Sequence, residues 1–109
     1  MVEYQALDAV FTALGDPTRR AILQRLRKAP ATVTEIAAPF DVSLNAVSKH
    51  VKVLERAGLV ARRRDGREHH LSLNPAPLGK AARWLIDYQE FWETRLDRMD
   101  ALLQRDNNR

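Results

Sequence analysis

The residues with most to offer a ligand lie between Ser43 and Arg67. Asn45, Ala46, Ser48, Lys49 and Lys52 recur at spacings that bring them to one side of a helix, with Ser43 and His50 at its margins and no acid before Glu55. Short hydrogen-bonding and cationic side chains in that arrangement suit a groove floored by base edges and walled by phosphates. Asn45 has the paired donor and acceptor that match adenine, and Lys49 can reach guanine. Further along, Arg62, Arg63, Arg64 and Arg67 surround Asp65-Gly66. Arginines at the tip of a hairpin meet phosphates or enter a minor groove, where the negative potential is enhanced.

No other chemistry has comparable support. The chain has no cysteine, which excludes disulfides, thiolate metal sites and cysteine nucleophiles. No nucleophile stands near a base, and no glycine-rich loop is present to cradle phosphate, so neither an enzyme nor a bound cofactor is expected. The three histidines do not build a metal site. His69 and His70 are neighbours in an extended run and point to opposite faces. His50 is alone on its helix, either packed against a neighbour or touching the DNA backbone.

At 109 residues the chain is expected to form one domain, residues 1–109. Its net charge of +4 and pI near 10.0 favour a polyanionic partner. The excess is local: residues 43–72 hold seven Lys/Arg against three acids, whereas residues 78–105 hold five of each. The first residues have no basic segment followed by an apolar run, and no stretch approaches the roughly 18 apolar residues that span a bilayer. A soluble, cytoplasmic protein without a membrane partner is expected.

The elements that must hold these residues are legible in order. Tyr4, Leu7, Val10, Phe11 and Leu14 mark a first helix ended by Gly15. Asp16 and Pro17 restart the chain as N-cap and first helical residue, and Ile22, Leu23 and Leu26 give the second helix its inner face. Its arginines either form a solvated face or, at Arg19 and Arg20, grip DNA backbone. Thr32-Val33-Thr34-Glu35 is a capping-box pattern that opens a short third helix, which Pro39 stops. Phe40 and Val42 read as core plugs. Ser43 then caps a helix whose inner face is Leu44, Val47, Val51 and Leu54 and which Gly58 ends. Two short helices joined by a tight turn form a helix-turn-helix.

Beyond Gly58 the pattern turns extended, and Asp65-Gly66 signals a two-residue hairpin loop. That loop pairs Arg64 with Arg67, Arg63 with Glu68, Arg62 with His69 and Val60 with Leu71. The opposed arginines would gain from an anion between them, or would splay into water and discourage edge-to-edge pairing. A last helix, from about Leu78 to Leu103, carries the stripe Leu85, Tyr88, Trp92, Leu96, Met99 and Leu103, broadened by Trp84, Phe91 and Leu102. It is longer than so small a core needs. Leu7 and Phe11 of the first helix, with Trp84, Tyr88, Phe91, Trp92, Leu96 and Met99 of the last, are therefore expected to pair with a second copy. The fold class is mainly α with a small β-hairpin: a winged helix-turn-helix dimerising through its first and last helices.

Three stretches carry a specific resemblance: residues 13–23, residues 47–60, and the arginine-rich Asp-Gly hairpin. Together they resemble the ArsR-type winged-helix repressors, over about residues 5–75, and the long last helix is similar to the dimerisation helix of that group. The resemblance implies a homodimer on a roughly palindromic double-stranded DNA operator, often that of its own operon. It matches Asn45, Ala46, Ser48, Lys49, His50 and Lys52 to the recognition helix and Arg62 to Arg67 to the wing. It does not extend to the family's metal sites, since Glu35-Ile36-Ala37-Ala38 stands where cysteines would be and the last helix has no histidine. An unidentified small-molecule effector stays open as an addition. A protein-interaction module is the competing reading, and it leaves the arginine tip unexplained.

Overall fold

The computed structural model describes the backbone of residues 2–107 and the side chains of residues 5–107. The order is α1 (Val2–Leu14), α2 (Pro17–Leu26), β1 (Ala31–Thr32), α3 (Val33–Ala37), α4 (Leu44–Arg56), β2 (Val60–Asp65), β3 (Glu68–Leu73) and α5 (Ala76–Asn107). Tyr4, expected on the inner face of α1, has its side chain outside the described residues.

Local chemistry sets the helix ends. Asp16 accepts the backbone N–H of Arg19 at 3.0 Å, with Pro17 in the first turn of α2. Thr32 and Glu35 close the expected capping box at α3, each accepting the other's backbone N–H at 3.2 Å. Ser43 Oγ accepts from Ala46 at 3.1 Å to start α4. At its far end Leu59 donates to Leu54 and Gly58 to Glu55, both at 3.0 Å, a closure that requires the φ of +76° at Gly58. Leu54 and Leu59 are both fully buried, completing the apolar contact of that turn. The helix therefore stops within one residue and the chain reverses straight into β2.

The hairpin forms, in a different register from the one expected. Asp65 faces Glu68, Arg64 faces His69, Arg63 faces His70, Arg62 faces Leu71 and Val60 faces Leu73. The loop is thus Gly66-Arg67, not Asp65-Gly66, and Arg64 and Arg67 are not opposed. The reason is conformational. Gly66 has φ +65°, and no described non-glycine residue has positive φ, so the turn needs one left-handed residue and has glycine in its first central position. A third strand, unanticipated, completes an antiparallel sheet of order β1-β3-β2 through Ala31 and Thr32, opposite Leu71 and His70.

One core joins the elements. Val10 and Ala13 of α1, Ile22, Leu23 and Leu26 of α2, Ile36 of α3, and Val47, Val51 and Leu54 of α4 close over Leu59, Val60 and Leu71. Two expected core residues are outside it: Leu44 is 51% exposed and Val42 47%. Leu44 is the first residue of α4, and helical side chains lean toward the N-terminus, so it projects past the packed turns. Phe40 does pack against the core.

Helix α5 begins at Ala76, two residues earlier than expected, because Pro77 falls in the first turn, where its missing N–H costs nothing. Its 32 residues span about 48 Å at 1.5 Å per residue, and the molecule measures 75 × 32 × 21 Å. Of α5 only Ala81 is buried, with Leu78 against the core. The rest of the helix projects beyond the domain.

Two stability outcomes follow from these ends. Gly58→Ala meets only ordinary contact, with Pro77 Cγ 3.5 Å from the new Cβ, so its cost is that of a left-handed alanine, about 1–2 kcal/mol. Urea unfolding reads it as a lower midpoint at unchanged slope. Asp16 and Glu35 both titrate below their ordinary values of 3.8 and 4.5, because the ionised carboxylates accept the backbone N–H of Arg19 and of Thr32 respectively. Their contribution is complete above those ordinary values and is lost as pH falls through the depressed ones. Asp16→Asn, which keeps a capping oxygen and cannot titrate, is expected to flatten the acid limb of a Tm-against-pH curve below about pH 4. An unchanged acid limb would remove Asp16 from that account.

Candidate nucleic-acid interface

The outer face of α4 is built by its inner one. Val47, Val51 and Leu54 have no exposed surface, so the helix cannot roll without losing three core contacts. On the opposite side Asn45, Lys49 and Lys52 are exposed, Ala46 and Ser48 are half-buried, and Ser43 stands at the exposed start. Asn45, Lys49 and Lys52 make no hydrogen bond or ion pair among the described side chains. Ser43 is already engaged as the N-cap. The strip expected from the sequence is therefore assembled, with its central polar groups unspent.

The four arginines of the hairpin divide. Arg62 faces inward beside Leu71 and places its guanidinium on Glu55, with Nη2 2.7 Å from Oε1 and Nε 3.2 Å from Oε2. This two-point pair raises the Arg62 pKa above its ordinary value, the Glu55 hydrogen bond being the main cause. It joins the last turn of α4 to the wing, so Arg62 is committed within the chain. Arg63, Arg64 and Arg67 are exposed, and Arg64 Nε donates to Gly66 O at 3.2 Å, drawing that side chain around the tip. The Glu55–Arg62 pair was missed in the sequence because it crosses the reversal at Gly58. Its one visible signal was that Glu55 is the only acid on the helix.

The arginines at the start of α2 make bonds within the chain that neither expectation included, while Arg20 stays exposed. Arg20 donates to Leu14 O at 2.7 Å, while Arg19 donates through Nε to Ala13 O and through Nη2 to Thr12 O, both at 2.8 Å. These carbonyls lie in the last turn of α1, where the helix ladder ends, and Thr12 O also accepts the backbone N–H of Gly15 at 3.2 Å. Arg19 Nη1 lies 3.3 Å from Nδ1 of His50, and Asp16 Oδ2 lies 3.8 Å from the same nitrogen. His50 thus has its packing partner, and keeps about a quarter of its side-chain surface exposed. His69 and His70 do lie on opposite faces of β3. His70 Nε2 is 3.2 Å from Glu68 Oε2, and His69 Nδ1 is buried without a partner. Among the described residues no cluster of three His, Asp or Glu side chains has the arrangement of a metal site.

The proposed pairing residues form a continuous surface. Trp84, Tyr88, Phe91 and Trp92 are each 43–51% exposed, and Leu96 and Met99 are 58–59% exposed. Leu85, Leu102 and Leu103 fall on the same side and extend the patch, whereas Ile86, also exposed, lies on the other side of α5. Phe11 of α1 meets Trp84 edge-on at 5.8 Å, Trp84 stacks on Tyr88 at 5.2 Å, and Leu7 is half-buried beside them. No described helix is long and apolar enough to cross a membrane.

Comparison with known proteins gives these features a family. A profile of the helix-turn-helix domain matches residues 14–63. The HTH-type transcriptional regulator Rv2034 of Mycobacterium tuberculosis is 41% identical over 96 residues, covering 88% of this chain and 87% of that protein. The transcriptional repressor SdpR of Bacillus subtilis is 33% identical over 82 residues, covering 75% and 91%. A solved ArsR-like transcriptional regulator from Rhodococcus sp. RHA1 superposes with a TM-score of 0.80 at 34% identity, over 94% of this chain and 96% of that one. With its capped helix-turn-helix and arginine-tipped wing, the chain belongs to the ArsR family of DNA-binding transcriptional regulators.

Proposed function

We propose that the protein is a homodimeric repressor that lays residues 45–52 of each α4 into successive major grooves of an operator, one helical turn of about 34 Å or a multiple apart. The observation that carries this reading is the exposed strip of Asn45, Lys49 and Lys52, unengaged by the chain, on a helix locked by Val47, Val51 and Leu54. Asn45 reads adenine and Lys49 guanine, with Ala46 and Ser48 allowing close approach and Lys52 on phosphate. Arg63, Arg64 and Arg67 meet the neighbouring backbone or minor groove. Arg62 acts from behind, holding the wing to α4 through Glu55.

Dimerisation is supported by area. Nine large apolar side chains on one side of α5, each about half exposed, leave on the order of 900 Å² of surface, taking roughly 150–250 Å² for each whole side chain. That exceeds the largest patches of ordinary monomers, about 300–600 Å², and matches the roughly 800 Å² per partner of stable interfaces. The seam is Leu7, Phe11, Trp84, Tyr88, Phe91, Trp92, Leu96 and Met99. A cleft of about 600 Å³ between α1 and the start of α5, walled by Leu7, Val10 and Trp84 with Lys80 and Arg83 at its edge, is where a small-molecule effector would bias the pair. Occupancy of a promoter, its own among them, blocks polymerase. A reporter that rises with added protein would contradict repression.

Selection of bound fragments from random duplex DNA tests the readout. Wild type is expected to recover a palindromic motif, and Asn45→Ala to relax one position of each half-site at a cost of about 1–3 kcal/mol. An unchanged motif would sink the Asn45 assignment. Arg64→Ala is expected to weaken all sequences alike and reduce the log–log salt slope by about 0.9 per phosphate lost. Sedimentation tests the seam: Trp92→Glu should yield a folded monomer whose operator affinity collapses. A dimer persisting at micromolar concentration would move the interface elsewhere.

A further inference from the structure

We infer that Arg19 is a positioning residue for DNA recognition, orienting His50 at the margin of the recognition helix and tying it to the end of α1. The bonding requires it. An arginine only donates, so an Nη1–Nδ1 hydrogen bond at 3.3 Å takes the imidazole with Nδ1 as acceptor and its proton on Nε2, while Asp16 Oδ2, 3.8 Å from Nδ1, is beyond hydrogen-bond reach. Among the described residues Nε2 has no hydrogen-bond partner, and it is not among the buried unpaired atoms, on a side chain about a quarter exposed. The ring is thereby held in one tautomer, with a donor facing outward one residue from Lys49. The other two contacts of Arg19, to Thr12 O and Ala13 O at 2.8 Å, fix the guanidinium itself. Asp16 fixes its backbone. Three elements therefore meet at one planar group, each acceptor held by a different nitrogen (Nε, Nη1 and Nη2), a spread that the single nitrogen of a lysine does not reproduce.

The donor at Nε2 suits a phosphate oxygen, since His50 lies on the flank of α4 that faces α2, away from the central Asn45 and Lys49. A neutral imidazole donor releases no counterion, so this contact adds affinity without adding to the salt slope. That separates it from the alternative in which Arg19 itself touches phosphate.

The inference rests on the reading that α4 enters the major groove, and the test keeps the two apart. Wild type, Arg19→Ala, Arg19→Lys, His50→Leu and the Arg19→Ala/His50→Leu double variant are titrated on the selected operator and on scrambled duplex at several salt concentrations. Circular dichroism confirms that each is folded, and His50→Leu leaves the α1 carbonyls capped. Each single variant is expected to lose about five- to tenfold in operator affinity at unchanged slope, with the double variant no weaker than either single. A slope lower by about one in Arg19→Ala would make Arg19 a phosphate contact. Full affinity in Arg19→Lys would leave only its charge, and full affinity in His50→Leu would leave only a helix cap. Any of these overturns the inference. If wild type prefers no sequence over scrambled duplex, it is the recognition reading that falls.

Discussion

The structure depends on holding α4 from one side only. A helix that reads a groove must keep its outer half free of intramolecular bonds, so its apolar grip centres on one face, on Val47, Val51 and Leu54. Three fully buried side chains, at roughly 1.5–3 kcal/mol each, are enough to seat the helix but leave its ends to swing. Both ends are accordingly closed by short-range bonds: Ser43 at the start, and the reversal at Gly58, which makes Leu59 both the end of the helix and the root of the wing.

The charged side chains then sort by reach. Glu55 and Asp16 are the acids closest to α4's bonding network, and each is paired to an arginine by side chain or backbone. Arg62 and Arg19 are thus bound into the frame, at the last turn and at the middle of the helix, while Lys49, Lys52, Arg63 and Arg67 keep their charges for solvent or ligand. A basic surface made in this way is more ordered than its net charge suggests, because the fixed arginines determine where the free ones stand.

What was legible in the sequence was local. The caps at Asp16, Thr32 and Ser43 and the stop at Gly58 each depend on residues within five positions, and each formed where its residues stand. The hairpin register was not legible, because Asp-Gly and Gly-Arg are both two-residue loops and the choice turned on how many left-handed residues the turn takes. The two-residue strand at Ala31 has no periodicity to detect, and exists because β3 offers an unpaired edge. Long side chains were the least readable of all. Arg19 and Arg20 read as facing solvent or DNA and Arg62 as a wing residue, with little in the sequence to indicate that their guanidinium groups also lie on Thr12, Ala13, Leu14 and Glu55, seven or fewer residues away but in other elements.

The same distinction governs α5. Its stripe is plain in the sequence, but whether a stripe is core or interface depends on what the rest of the chain can cover, and here the fold covers almost none of it. Only α1 lies along the helix, and α1 is itself fastened at its end by Arg19 and Arg20. A partner seated on α5 therefore also leans on α1, and through Arg19 on the flank of α4. One guanidinium thus joins the end of α1 to the imidazole on the flank of α4, so the helix that carries the exposed stripe and the helix that carries the polar strip share a single fastening.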